Sequence, residues 1–313
     1  MPGSTRASGR AEPMGGAPTL GARLARATSA RPAALLLAAL ALAVTFGPPI
    51  GRGFGLDGEG IDLLHRLQPP GWGRPLGTDE LGRDLFVRLL EGGRVSLAVG
   101  LLGALLAALA GTLIGLLAAF ARGPLDGLLM RVADIVLALP LLPLLVILAA
   151  VDPLELGLDA ELASSAVLDI ARIVVLVAAF GWPTTARLVR AGALAILAAE
   201  HVRAARALGA TPLRVALRHV LPGLAAPITV ATTLALGQVI LGESVLSFLG
   251  LGIRPPTPSW GNMLTNAQET LWQAPLLALW PGLLILATVT ACNLLGDALA
   301  DAAAPRAAAG RTT

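Results

Sequence analysis

The chain has 313 residues, 55% hydrophobic and 14% charged, with a mean hydropathy of +0.76. Soluble domains carry nearer a quarter charged residues, so this composition excludes an ordinary water-soluble globule and points to a membrane. Net charge is only +3; the sequence pI near 10.7 reflects a basic complement made wholly of arginine and is no sign of nucleic-acid binding. In chain order, the first 31 residues are rich in Gly, Ala, Pro, Ser and Arg without periodicity, and are expected to be a disordered tail. Apolar runs follow at 32–46, 95–120, 135–151, 173–186, 221–242 and 276–296. A helical span needs about 20 apolar residues at ~1.5 Å each, so three runs suffice alone and three borrow flanking residues. The expected protein is all-α with six transmembrane helices. Its parts are a tail 1–31, a first helix 32–50, an outer segment 51–94, a five-helix core 95–300 and a tail 301–313.

Orientation rests on arginine alone, because the chain has no lysine. With six spans, the side holding both termini and the 187–218 loop carries 15 arginines against 8 on the other. The richer side is expected to be cytoplasmic. Trp260, Trp272 and Trp280 fall around the outer ends of the last two spans, as an interfacial belt would.

Several activities are excluded by what is missing. A P-loop needs a lysine to reach the phosphates, and none exists, so the chain has no Walker-type ATPase site. His65, His201 and His219 show no HExxH spacing, no GxSxG occurs, and Cys292 is the single cysteine. No catalytic residue, metal ligand or cofactor is assigned.

Glu243 stands near the outer end of the fifth span, with Ser244 and Ser247 beside it. A carboxylate there is costly against lipid. It is expected either to be an interfacial acid bonded to its neighbours or to line a translocation path or its outer gate. Asp134 is expected to pair with Arg131, one turn away, and Asp169 with Arg172 at i,i+3. Gly111 and Gly115 form a small-xxx-small pattern that lets helices approach closely. Pro140, Pro143, Pro183 and Pro227 interrupt spans and free backbone carbonyls.

The most informative stretch is the charged island 187–222, with arginines at 187, 190, 203, 206, 214 and 218. A helix over 198–208 is expected to stop at Gly209. Thr211 as N-cap and Pro212 in the first turn open a second helix, which Pro222 is expected to close. A compact helix–turn–helix on the arginine-rich side of a membrane protein is a docking element for a soluble partner.

Arg203-Ala204-Ala205, then Gly209 and Leu221-Pro222, resembles the EAA loop of permease subunits in ABC importers. Leu76-Gly77-Thr78-Asp79-Glu80-Leu81-Gly82-Arg83-Asp84, running on to Arg94-Val95-Ser96-Leu97, resembles the dipeptide/oligopeptide branch, and within it the second permease. Glu243-Ser244-Val245-Leu246-Ser247-Phe248 followed by Pro258-Ser259-Trp260-Gly261 is similar to the same branch, as is Asn293-Leu294-Leu295-Gly296-Asp297.

The resemblance implies a type I importer permease. It would pair with a second permease subunit, two ATP-binding subunits and an extracytoplasmic solute-binding protein in a bacterial inner membrane. Arg203, Ala204, Ala205, Arg206, Leu208 and Gly209 would form the ATPase-coupling helix. Glu243, Ser244 and Ser247 would belong to the path or outer gate. Three positions depart from the pattern. Arg203 replaces the acidic first residue, with Glu200 three positions earlier, and Ala300 and Ala304 stand where the branch carries charges. The competing reading is a self-contained secondary transporter or channel, which would carry coupling charges mid-span.

Overall fold

A computed structural model describes residues 30–155, 157, 159–265 and 267–303. All but two residues of the expected N-terminal tail, and most of the C-terminal one, lie outside these. The main helices are α1 (Ala30–Gly53), α2 (Leu85–Ala121), α3 (Gly123–Ala138), α4 (Leu141–Ala149), α5 (Ala166–Leu197), α6 (Glu200–Ala207), α7 (Pro212–Phe248) and α8 (Leu276–Ala303). No β-strand occurs among the described residues, only isolated bridges at Gly71–Arg74 and Thr78–Asp84. Five helices are long and apolar enough to cross a membrane, and α3 with α4 supplies a sixth when the bent pair counts as one span.

That pair turns through 86°. Pro140 has no N–H to continue the ladder, and it drives Leu139 to extended ψ 140°, which ends α3. In α1 the adjacent Pro48 and Pro49 free the carbonyls of Val44 and Thr45, four residues back. Arg94 of α2 answers both, donating Nε to Val44 O at 2.5 Å and Nη2 to Thr45 O. A guanidinium at the start of an apolar run thus repairs the proline break in its neighbour.

Helix α2 begins ten residues before the apolar run that announced it, because Asp84 caps it, accepting from Val87 N at 3.0 Å. The outer segment therefore shrinks to 54–84, an irregular stretch tied by side chains. Asp79 accepts from Leu81 N, Arg83 N and Arg83 Nε at 2.9, 2.9 and 2.7 Å. Thr78 donates to His65 O at 2.5 Å.

The core is built where small residues remove side-chain thickness. A Cβ on Gly111 would lie 2.6 Å from Trp182 O, and one on Gly115 would lie 2.5 Å from Ala186 O. The small-xxx-small pattern of α2 is thus the surface on which α5 rests. Gly100 and Gly103 likewise admit Ile240 and Val239 of α7.

Pro222 does not close the helix it was expected to end. Residues from Pro212 to Phe248 form one continuous rod, with a π turn over Ala216–Val220. In that turn Leu221 N bonds Ala216 O five residues back. The widened turn absorbs the proline ring and its missing donor, which an unbroken α ladder would not.

Candidate functional site

Two clusters stand at opposite ends of α7. At its N-terminal end, α6 and the start of α7 make a helical hairpin. Helix α6 stops in a Schellman turn, with Gly209 N bonding Arg206 O and Ala210 N bonding Ala205 O, both at 3.0 Å. Gly209 sits at φ +86°, the left-handed region open to glycine. Thr211 then accepts from Arg214 N at 3.3 Å and Pro212 fills the first turn.

The hairpin is fastened from below. Val202 and Val215 are fully buried in one cluster with Ala119, Val189, Leu197 and Leu224, at the ends of α2, α5 and α7. Its outer face is left open. Arg203, Ala204, Arg206 and Gly209 are exposed, Ala205 is half-buried, and Leu208 is 89% exposed beside exposed Leu213 and Leu217. Arg203 reaches Glu200 at 3.9 Å with both side chains in solvent, which holds little energy. The Arg206 guanidinium lies 5.9 Å from the Phe120 ring centroid, which steadies the last turn of α6. Neighbouring arginines are anchored instead. Arg190 grips Asp126 of α3 at 2.5 and 2.7 Å. Arg187 holds Asp134 at 2.8 Å, a partner 53 positions away rather than the expected Arg131.

At the far end of α7, Glu243 is fully buried. Its carboxylate accepts from Ser247 at 2.7 Å, from Ser96 of α2 at 3.0 Å and from Ser244 at 3.5 Å. Ser247 lies one turn on, on the same helical face. The hydroxyls also receive: Ser96 Oγ accepts from Trp260 N at 3.2 Å and Ser247 Oγ from Ile253 N at 3.1 Å. The node therefore binds the 249–265 loop down onto α2 and α7. Close approach there is licensed by glycine, since a Cβ on Gly93 would stand 2.8 Å from the Trp260 ring. Trp260 is not part of an interfacial belt; it is fully buried and donates Nε1 to Leu89 O at 2.9 Å, while Trp272 is almost fully exposed. Glu243, Ser244 and Ser247 face one another and this loop in the interior of the subunit.

The loop has a second clasp. Asp169 is buried and receives Arg254 in a fork, from Nη2 at 2.8 Å and from Nε at 3.1 and 3.2 Å. Arg254 Nη2 also donates to Ala163 O at 2.6 Å. The hydrogen bonds that the Arg254 guanidinium donates to Asp169 hold it above its ordinary pKa. The local pairing expected with Arg172 loses to this long-range one because the fork satisfies both carboxylate oxygens at once. Ser96, Asp169 and Arg254 are the residues that sequence reasoning did not bring to this cluster. Ser96 carried a faint signal, as a hydroxyl at the head of a long apolar run.

Known proteins resemble this chain over most of the region that holds both clusters. Residues 111–309 match the family of binding-protein-dependent transport system inner membrane components. Glutathione transport system permease protein GsiD of Escherichia coli O6:K15:H31 is 42% identical over 230 residues, which are 74% of this chain and 71% of that protein. The protein of the same name from Shigella flexneri serotype 5b is 44% identical over the same shares. Among solved structures, an inward-facing form of the MetNI methionine ABC transporter superposes with a TM-score of 0.53 at 20% identity. It covers 69% of this chain and 96% of that one, and so supports the fold alone. The family match runs from the glycine contact between α2 and α5 past the last turn of α8, taking in the exposed hairpin and, of the buried node, every member except Ser96. On that match the chain belongs to the binding-protein-dependent transport system inner membrane components, as a multi-pass permease subunit of an ABC importer.

Proposed function

We propose that this permease forms the transmembrane path together with a second, different permease, and that the path carries di- or oligopeptides, glutathione-like tripeptides among them. Two separate ATP-binding subunits drive it, and an extracytoplasmic solute-binding protein delivers the cargo. The α6–α7 hairpin and both termini are cytoplasmic, following the arginine excess. The substrate class is suggested by the relatives named for glutathione transport.

The observation that carries the reading is the division within the hairpin. Val202 and Val215 fasten it to three spans, while Leu208, Leu213 and Leu217 stay exposed in a segment that also exposes Arg203, Arg206 and Arg214. An apolar ridge rimmed by guanidinium groups suits a cleft with an acidic lip on an ATPase. Arg203, at the position that is usually acidic, supports contact with a carboxylate on that lip. Movement of the hairpin passes along α7 to Glu243, Ser244 and Ser247, which act in an outer gate by holding the 249–265 loop in place.

The test is ATP-driven uptake by the four-subunit assembly in proteoliposomes, supplied with its binding protein and labelled glutathione, a dipeptide or nickel. Peptide uptake is expected, and Gly209→Val should abolish it. A side chain at φ +86° costs about 1 kcal/mol or more and turns α6 away from its partner. Unchanged uptake by an assembled Gly209→Val importer refutes the coupling role. Uptake of nickel but not peptide refutes the substrate class, and ATP-independent uptake by this chain alone refutes the importer assignment.

A further inference from the structure

A cavity of about 340 Å³ lies at the ends of α2 and α7 remote from the hairpin, lined among others by Asp79, Arg83, Arg88, Ser247, Arg254 and Asn262. Pockets for small ligands span about 300–1,000 Å³ and combine an apolar lining with a few converging polar groups. The apolar part here comes from Leu81, Leu85, Met263 and Leu277. One wall belongs to the buried node, because Ser247 both lines the cavity and donates to Glu243.

The charges in the lining are unevenly matched. Arg83 Nε donates to Asp79 Oδ2 at 2.7 Å, and Arg88 Nε lies 3.3 Å from the same oxygen. Asp79 Oδ1 is already taken by Leu81 N and Arg83 N. Two guanidinium groups therefore share one carboxylate oxygen, and neither has another salt bridge among the described residues. Arg88 is 6% exposed and spends Nη1 on Gly58 O at 3.2 Å.

Arg83 and Arg254 can be reached from outside, with side chains 15% and 44% exposed. The two terminal nitrogens of Arg83 make no hydrogen bond among the described residues. Arg254 commits Nε and Nη2 to Asp169 and Ala163 O, which leaves its Nη1 unengaged among them. A further carboxylate can thus be received without breaking the bonds to Asp79 or Asp169.

We infer that this cavity receives the C-terminal carboxylate of the peptide cargo on Arg83 and Arg254, with the apolar lining taking the terminal side chain. Planar guanidinium groups with unspent N–H donors suit a carboxylate. Asp79 and Glu80 share the lining, so a singly charged carboxylate fits where a dianionic phosphate is repelled more strongly. The inference rests on the importer reading, which puts this end of α2 and α7 on the side where cargo arrives. Cargo held there sits against Ser247 and the Arg254 clasp together, so it meets the buried node and the 249–265 loop at one place.

The test is saturation-transfer NMR on the assembled importer in nanodiscs, without the binding protein, using alanyl-leucine and its C-terminal amide as probes. Wild type should bind alanyl-leucine about tenfold more tightly than the amide, the loss expected when charge-assisted hydrogen bonds are removed. That comparison needs no variant. Arg83→Gln should abolish the preference for the free acid, and Arg83→Lys should keep part of it. ATP-driven uptake of alanyl-leucine with the binding protein present is read in parallel. Equal binding of the two probes to wild type, or binding of neither, overturns the site; normal uptake in that case leaves the importer standing. Absence of both binding and uptake overturns the site and the peptide reading together. A full preference for the free acid in Arg83→Gln, with weakened attachment of the binding protein, assigns Arg83 to an acid of that protein and overturns the site.

Discussion

Val202 and Leu208 lie six residues apart in one hairpin, and the structure gives them opposite duties. Val202 is 0% exposed, packed among Ala119, Val189 and Leu224. Truncation to alanine removes two methyl groups, about 1.6 kcal/mol of transfer energy, and a residual cavity raises this to about 2–3 kcal/mol. Leu208 is 89% exposed, so its truncation removes almost no burial from the isolated subunit and should cost under about 0.5 kcal/mol. If Leu208 is buried against an ATPase in the assembly, the same truncation should weaken association by about 1–3 kcal/mol. The assay is paired: thermal unfolding of the purified permease in detergent, and peptide-stimulated ATP turnover of the assembled importer. Val202→Ala should lower the melting temperature by several degrees. Leu208→Ala should leave melting unmoved and reduce turnover by about tenfold at limiting ATPase. Two results refute the reasoning: melting that falls equally in both variants, or wild-type turnover in Leu208→Ala across all ATPase concentrations.

Three further outcomes follow from the geometry. Gly115→Leu places a branched side chain where a Cβ alone stands 2.5 Å from Ala186 O; α2 and α5 cannot close, and little folded protein should be recovered by size exclusion. Asp169→Ala strands Arg254 and frees one clasp of the 249–265 loop. With the guanidinium partly in solvent the loss is about 1–3 kcal/mol, below that of a fully buried pair, and amide exchange of 253–263 should quicken while the α6–α7 hairpin is unaffected. Asp84, whose carboxyl is raised by burial, favours the folded segment most below pH ~4, and that contribution is lost as pH rises through its elevated folded value. The difference in exchange protection of 57–62 between wild type and Asp84→Asn isolates this from Asp57 and Asp62, whose lowered values act with the opposite sign. A difference that does not change with pH contradicts the assignment.

Features written in consecutive residues were legible in the sequence. The Gly209 stop, the Thr211 cap and the small-residue pattern of Gly111 and Gly115 each rest on a local rule, and the structure places all three as those rules require. Features depending on what the chain brings back from afar were not. Asp169 has Arg172 within one turn, yet Arg254, 85 positions on, wins by offering a fork. Trp260 looked interfacial by position, but Gly92 and Gly93 of α2 make a seat that draws it inside. Pro222 looked like a terminator because a single-residue rule contains no π turn. In the buried node, Glu243 and Ser247 are readable as one helical face, whereas Ser96 joins them across 147 positions of sequence.

These long-range clasps decide how motion can travel through the subunit. Helix α7 is continuous from Pro212 to Phe248, a rod of about 55 Å. One end carries the exposed hairpin and the other carries Glu243. The rod is not uniformly stiff, for the π turn at Ala216–Val220 and Pro227 both weaken the ladder near the hairpin. Beyond Pro227 it is wedged by Ile240 and Val239 against Gly100 and Gly103, and locked to Ser96 through Glu243. A displacement of the hairpin is therefore absorbed partly at the π turn, and the remainder reaches the 249–265 loop only together with α2. The Asp169–Arg254 clasp resists that movement from α5, so the loop answers to three spans at once. The outer gate proposed for this end would open when α2, α5 and α7 shift relative to one another, a local disturbance of one helix being held in check by the other two.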